Sequence, residues 1–345
     1  MYEYCEVIMD ISVPYYEDNS RISNSNIGWF LNKGPAYLYK KLSGQIEDET
    51  SQSMTKGTMI HEYLLQPEEF QKDYVVWDKC RPSSVNEEKF CQALADSVEI
   101  EPNKSLLSAY KAAYSTSGKS DDKMLSEATK KASTLKEYIE FLKCKDQREM
   151  ITPYSANQLV KIKDNIAKHK AACKLLQPAD NEKVFHEFHI NWEYEGKYKN
   201  NDEEYSFSCN CKSLLDSVTF SFSEKKITLM DLKTTAHLHN FADSVNTFDY
   251  TRQLYFYTLA LQWYLENELH EDSKKWTFEW YIIAIDNMTG DVRVFEFNEN
   301  QVFYKKDNVD RVFCAIRDIV WHKEHGLWEH SRAYYEGDGI ENLNL

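Results

Sequence analysis

Asp216, Asp231 and Lys233 are the residues of this sequence whose types and spacing best suit chemistry. They stand in CKSLLDSV and, after a turn at Ser221 to Lys226, in KKITLMDLKTT. Residues i and i+2 of a strand share a face, so Asp231 and Lys233 point the same way, and Asp216 reaches them from the preceding strand across a hairpin. Two converging carboxylates make a hard, anionic oxygen site suited to Mg²⁺, with Mn²⁺ as a substitute, completed by waters and by a backbone carbonyl such as that of Leu232. Phosphodiester hydrolysis needs a deprotonated water, relief of charge on the pentavalent phosphorus and help for the leaving oxygen, and a divalent metal meets all three needs. Lys233 beside it would orient or deprotonate the attacking water and offset the developing negative charge. The plainer reading is an ordinary ion pair exposed on a strand face. The strand is otherwise apolar at Ile227, Leu229, Met230 and Leu232, however, and charges in such company need a reason.

The elements that must position these residues follow from periodicity. The first fifty residues carry aromatics and the turn elements Asn32, Lys33, Gly34 and Pro35, and the acidic stretch from Glu47 to Ser51 reads as a loop. A helix is predicted from near Gly57, with Ile60, Leu64 and Leu65 at helical spacing and Pro67 at its end. Residues 86–176, rich in Lys, Glu, Ala and Leu, read as several helices forming an insertion. The last of these has Thr152 as cap, Pro153 in its first turn and one stripe of Leu159, Ile162, Ile166 and Cys173. Lys161, Lys163, Lys168, Lys170 and Lys174 fall largely off that stripe.

The period then changes to two. Val184, Phe188, Ile190, Trp192 and Tyr194 alternate with Glu187, His189, Asn191 and Glu193, and further strands are predicted over 205–211, 214–220 and 227–233, paired antiparallel through short turns. A long amphipathic helix over 249–266, a hairpin of 276–286 with 291–297, and a closing helix over 301–325 complete the pattern. The expected fold class is α/β (α+β): a central mixed β-sheet flanked by helices, with a helical insertion.

At 345 residues and 42% hydrophobic content the chain is long enough for one large domain or two ordinary ones, with a sizeable core. The formal charge of −15 argues against a protein that coats nucleic acid with its whole surface, but leaves room for a local basic groove. No apolar run reaches the ~18 residues of a membrane span, and the N-terminus lacks the basic start and apolar centre of an export signal, so a soluble, cytoplasmic protein without membrane contact is expected. In that setting the eight cysteines read as free thiols; the closest pair, Cys209 and Cys211, is not the spacing of a zinc or iron–sulfur site.

Asp216, followed fifteen positions later by Asp231-Leu232-Lys233-Thr234-Thr235, is preceded by Cys211-Lys212 and followed one helix on by Gln253-x-x-x-Tyr257. This string resembles the PD-(D/E)XK core of RecE-like and RecB-like nucleases. Residues 54–70, MTKGTMIHEYLLQPEEF, are similar to the histidine helix that precedes the sheet in those families, with Gly57 and His61 at the motif positions. The blocks also come in the same order, from a Ser-rich segment ending in Pro35-Ala36-Tyr37 to the helix of Gln253 and Tyr257, so the similarity covers most of residues 20–265.

The resemblance implies a single nuclease domain over 1–345, with a restriction-endonuclease-like catalytic core at 180–265 and the 86–176 insertion within it. It implies His61 as a further metal ligand, directly or through a water. Glu187 would touch the metal or its water, the alternative being a solvated strand glutamate. Gln253 would support Lys233 or a DNA phosphate. Tyr257 shares that helix face, as part of the site or as half-buried core. Lys212 and Arg252 are assigned to phosphate, and Lys161, Lys163, Lys168 and Lys170 to a track for the DNA backbone, against the bland reading of solvated lysines. Some of the eight Trp and 23 Tyr would stack on unpaired bases or wedge a duplex end.

One departure is that the family often carries K-x-R-x-D where this chain has Lys212-Ser213-Leu214-Leu215-Asp216, which puts substrate preference in doubt. The related iron–sulfur branch has a cysteine triplet downstream of the core. Here Cys314 alone follows it, and no cluster is expected. The implied function is a Mg²⁺-dependent exodeoxyribonuclease of a phage or prophage that degrades linear duplex from its ends, exposing single strands for recombination and repair. A closed homo-oligomeric ring and a partner that anneals single strands go with it. A non-catalytic DNA-binding module of the same fold and a structure-specific endonuclease are the competing readings.

Overall fold

Punctuation in the sequence sets the first helices. Ser23 accepts from the Asn26 N–H while the Asn26 side chain accepts from the Ser23 N–H, a reciprocal cap that opens α1 (Asn24–Lys33). Gly34, at φ 82°, turns the chain out of it, and Pro35 begins α2 (Pro35–Leu42). The computed structural model describes residues 13–47, 52–177, 179–200 and 203–340. The expected acidic loop at Asp48 to Ser51 lies outside the described residues, as do the first twelve residues on which an export signal was sought, Cys5 among them. Helix α3 (Gln52–Leu65) begins before Gly57 and ends, as predicted, before Pro67.

The chain divides into two compact units, residues 67–160 and the remainder. The smaller unit comprises α4 (Pro67–Asp73), β1 (Tyr74–Val76), α5 (Val85–Ala95), α6 (Pro102–Ala113), α7 (Asp121–Thr134), α8 (Lys136–Lys143), β2 (Glu149–Ile151) and the first half of α9 (Pro153–Lys168). It has a core of its own around Phe90, Cys91, Tyr110, Met124 and Ile139. This compact unit overlaps the expected insertion of 86–176 but has other bounds. Two three-residue strands too short to show alternation, β1 and β2, pair in parallel within it. The second half of α9 and α10 (Lys170–Leu176) belong to the larger unit. The single helix expected through Cys173 is broken at His169, whose extended backbone and ring cap α10 through the Ala172 N–H.

The larger unit is built on a five-stranded sheet in the order of the chain, β3 (Lys183–Asn200), β4 (Glu203–Ser221), β5 (Lys226–Thr235), β6 (Thr277–Asp286) and β7 (Val292–Phe297). All pairs are antiparallel except β5 with β6, which are parallel. A parallel pair needs a crossover, and α11 (Phe241–Thr247) and α12 (Tyr250–Asn267) supply it. The two segments expected at 205–211 and 214–220 are one long strand, β4. The closing helix α13 (Asn308–His325) starts later than predicted, because Lys306 and Asp307 take left-handed backbone ahead of it, and a short α14 (Arg332–Glu336) follows. The mixed sheet flanked by helices agrees with the expected class. Among the described residues no helix is long and apolar enough to cross a membrane.

Alternation along β5 fixes what each face touches. Ile227 and Leu229 join the main core with Leu254, Phe256 and Leu261 of α12, so Asp231 and Lys233, in the same phase, lie on the α12 side. Met230, Leu232 and Thr234 take the other face, against which α3 packs. A strand buried on both sides suits the apolar run that the sequence showed.

Candidate metal centre

The site forms where the sheet opens. The β4–β5 ladder runs from Ser221 opposite Lys226 to Ser217 opposite Met230 and stops there. Beyond it the Leu232 N–H donates to Asp216 Oδ2 at 2.7 Å, a side-chain carboxylate standing where a neighbouring strand would offer a carbonyl. The β3–β4 ladder is interrupted at the same level, between His186 opposite Ser217 and Phe188 opposite Leu215. Glu187 occupies that gap with φ 47°, a left-handed conformation that costs a side-chain-bearing residue free energy. The turn reverses the phase of β3: Phe185 rather than Val184 stacks on Phe188, with ring centroids 4.8 Å apart. Uniform alternation from Val184 to Tyr194 was therefore the wrong pattern for the start of the strand.

Asp231 is 1% exposed. Lys233 Nζ lies 2.6 Å from its Oδ2, which receives no donor at hydrogen-bonding angle among the described residues, while Gln253 Nε2 donates to Oδ1 at 3.2 Å. Burial pushes the Asp231 carboxyl up to about 7; Lys233 opposes this and Asp216 adds to it. Burial alone would lower Lys233, but Asp231 and Asp216 outweigh it and hold the ammonium protonated. The ammonium also lies 5.1 Å from the ring centre of Tyr250, the first residue of α12.

His61 comes from α3. Its Nδ1 lies 3.6 Å from Asp216 Oδ2, and a ligand atom from each of His61, Glu187 and Asp216 lies within 4.8 Å of the other two. Burial lowers the His61 pKa, with Asp216 and the Leu232 backbone opposing, so the ring is biased toward the neutral form that binds metal. Glu187 is pushed up to about 7, by burial first and then by Asp216, Asp231 and Glu62. Gly57 explains how α3 comes so near: a Cβ built there would sit 3.2 Å from Thr234 Oγ1 of β5.

Asp216, Asp231, Lys233, His61 and Glu187 are thus brought together, with the Leu232 backbone between Asp216 and His61. Gln253 supports Asp231 rather than Lys233, and it also donates to Tyr257 Oη at 3.0 Å. Tyr257 is buried beneath the site as a support. Lys212 and Arg252 are corrections. Both are buried, Lys212 donating to the carbonyls of Tyr15 and Asp18, and Arg252 to Asn24 and Asp249, so neither is free to meet a phosphate. Lys161, Lys163, Lys168 and Lys170 are exposed, and Lys163 reaches the ring of Tyr63 on α3. Sequence reasoning did not single out Tyr15, Tyr16 or Tyr250, because aromatic residues carry no spacing that separates a site from a core. No protein-family model matches this chain, and no curated protein is detectably similar to it.

Proposed function

We propose that this protein is a metal-dependent phosphodiesterase acting on DNA, of the PD-(D/E)XK kind, with RecE-like end-dependent degradation of linear duplex as its specific activity. The observation that carries the reading is the convergence of His61, Glu187 and Asp216 beside the buried Asp231–Lys233 pair. Carboxylates raised by burial first and then by one another's charge are groups that a hard cation would relieve, so the residues fit Mg²⁺ or Mn²⁺. Asp216, Asp231, Glu187, His61 and the Leu232 carbonyl would hold it. When bound, the metal supplies Lewis-acid polarisation of the phosphoryl oxygen and a lowered pKa for water.

The chain's own residues divide the remaining work. Lys233, kept protonated by Asp231, places positive charge where the pentavalent phosphorus gathers negative charge. Glu187, raised in the metal-free chain by burial and by its acidic neighbours, would hold the metal or the water bound to it. Gln253 fixes the Asp231 carboxylate, Tyr257 fixes Gln253, and Tyr250 shields one side of the ammonium. The exposed lysines of α9 and α10 give the acidic surface a local basic stretch for the DNA backbone.

The test is incubation of the protein with Mg²⁺ and end-labelled linear duplex beside covalently closed circular DNA, with Lys233→Ala in parallel. Loss of the linear form alone, abolished in the variant, is the expected result. Cutting of the circle replaces the exonuclease with an endonuclease, and no metal-dependent cleavage of either, or of single strands with Mn²⁺, rejects the hydrolase.

A further inference from the structure

Two aromatic side chains stand in solvent at the rim of this centre, and each is displayed by backbone that the fold takes trouble to fix. Tyr16 is 82% exposed, in the turn closed by the Glu17 and Asp18 N–H groups on the Pro14 carbonyl. The buried Lys212 clamps that turn through the carbonyls of Tyr15 and Asp18, and its ammonium lies 4.6 Å from the Tyr15 ring centre. Tyr15 meets His189 edge-on at 5.2 Å, two residues along β3 from Glu187, and Tyr16 meets Tyr15 edge-on at the same distance. The Tyr16 side chain is exposed along its ring, but its hydroxyl pKa is raised by desolvation first and then by Glu187, Asp216 and Glu62, so the hydroxyl lies within the field of the carboxylates.

Phe248 is 63% exposed and stacks on Tyr250 at 5.8 Å, the ring that faces the Lys233 ammonium. Between them Asp249 takes a left-handed backbone, φ 58°, held by Arg252 at 3.1 Å and Arg311 at 2.8 Å. This strained residue sends Tyr250 inward and Phe248 outward. A single exposed ring needs no explanation, but two, one within the field of Glu187 and Asp216 and one stacked on the ring that faces Lys233, each next to backbone held by a buried cation, Lys212 or Arg252, call for a shared task.

We propose that Tyr16 and Phe248 are stacking platforms for the bases on either side of the reacting phosphate, so that the site takes a strand whose bases are unstacked, a single strand or a frayed duplex end, rather than intact internal duplex. The proposal rests on the hydrolase reading and names the form of its substrate. Every base has a π-face, so such platforms confer strand state and not sequence.

The experiment uses the full chain and a single-stranded oligodeoxynucleotide carrying 2-aminopurine. In a Lys233→Ala background, which prevents turnover, binding is expected to quench the 2-aminopurine. Tyr16→Ala and Phe248→Ala are expected each to abolish part of the quench and weaken binding about tenfold, while Tyr16→Phe and Phe248→Tyr retain both. In the active background the same alanine variants are expected to raise KM with little change in kcat. Hydrolysis by the unsubstituted protein is read separately. Hydrolysis with unchanged binding, quench and KM in the alanine variants overturns the platforms and leaves the hydrolase standing; neither hydrolysis nor binding overturns both.

Discussion

Glu187 is held in a left-handed backbone among acidic neighbours, and both facts cost stability. Its carboxyl and that of Asp231 are raised to about 7 in the folded chain, against the ordinary value near ~4. A carboxyl raised on folding favours the native state below its unfolded pKa and loses that contribution as pH rises through the folded one. The metal-free protein is therefore expected to melt at progressively lower temperature as pH rises from about 4 through about 7, with divalent cation reversing the trend. Calorimetry across that range, with and without Mg²⁺, reads it; a flat profile in EDTA contradicts it. Glu187→Gln keeps the shape and removes the charge. At pH 8 it should raise the metal-free melting temperature by about 2–4 °C, the shift that ~1 kcal/mol gives a domain of this size, while weakening Mn²⁺ binding and slowing hydrolysis. A lower melting temperature with unaltered metal binding would show Glu187 to be an ordinary strand residue.

At the scale of elements, the site depends on two departures from regular structure, the parting of β4 from β5 beyond Ser217 and the close seat of α3 on Thr234. Gly57→Val places a branched side chain where a Cβ already meets Thr234 Oγ1 at 3.2 Å, so α3 must move out and carry His61 from Asp216. Hydrolysis should fall at least about tenfold, the loss that misplacement by a fraction of an ångström produces, with the circular dichroism spectrum retained. Unaltered activity would show that His61 takes no part. Strand β5, α12 and the β6–β7 hairpin were legible in the sequence, since each buries a face and alternation or helical spacing records it, whereas β1 and β2 are too short to show alternation and β4 read as two strands. Legible too was the Asp231–Lys233 pair, because the two charges break an apolar run. The phase reversal at Glu187 was not, since a left-handed residue in a strand leaves no compositional mark unless it is glycine. Nor were the internal tasks of Lys212 and Arg252, whose partners Tyr15, Asp18 and Asn24 lie some two hundred residues away in the chain.

At the scale of the molecule, the unit of residues 67–160 closes a core that, among the described residues, shares none with the sheet core. Phe90, fully buried in it, is the residue to truncate: Phe90→Ala should destabilise that unit by about 3–5 kcal/mol and produce an early unfolding transition that Mg²⁺ does not shift, followed by one that it does. A single Mg²⁺-sensitive transition would mean that the two units unfold together. The long-range assembly of the site from α3, β3, β4, β5 and α12 was only partly readable, since the sequence names the residues but not the opening in the sheet where they meet. The measurement that bears most directly on the whole account is calorimetric titration of Mn²⁺ at pH 8 into the unsubstituted protein and into Asp216→Asn. Saturable binding in the first, lost in the second while its fold is retained, is the expected result; binding of equal strength in both, or in neither, would contradict a metal centre at Asp216.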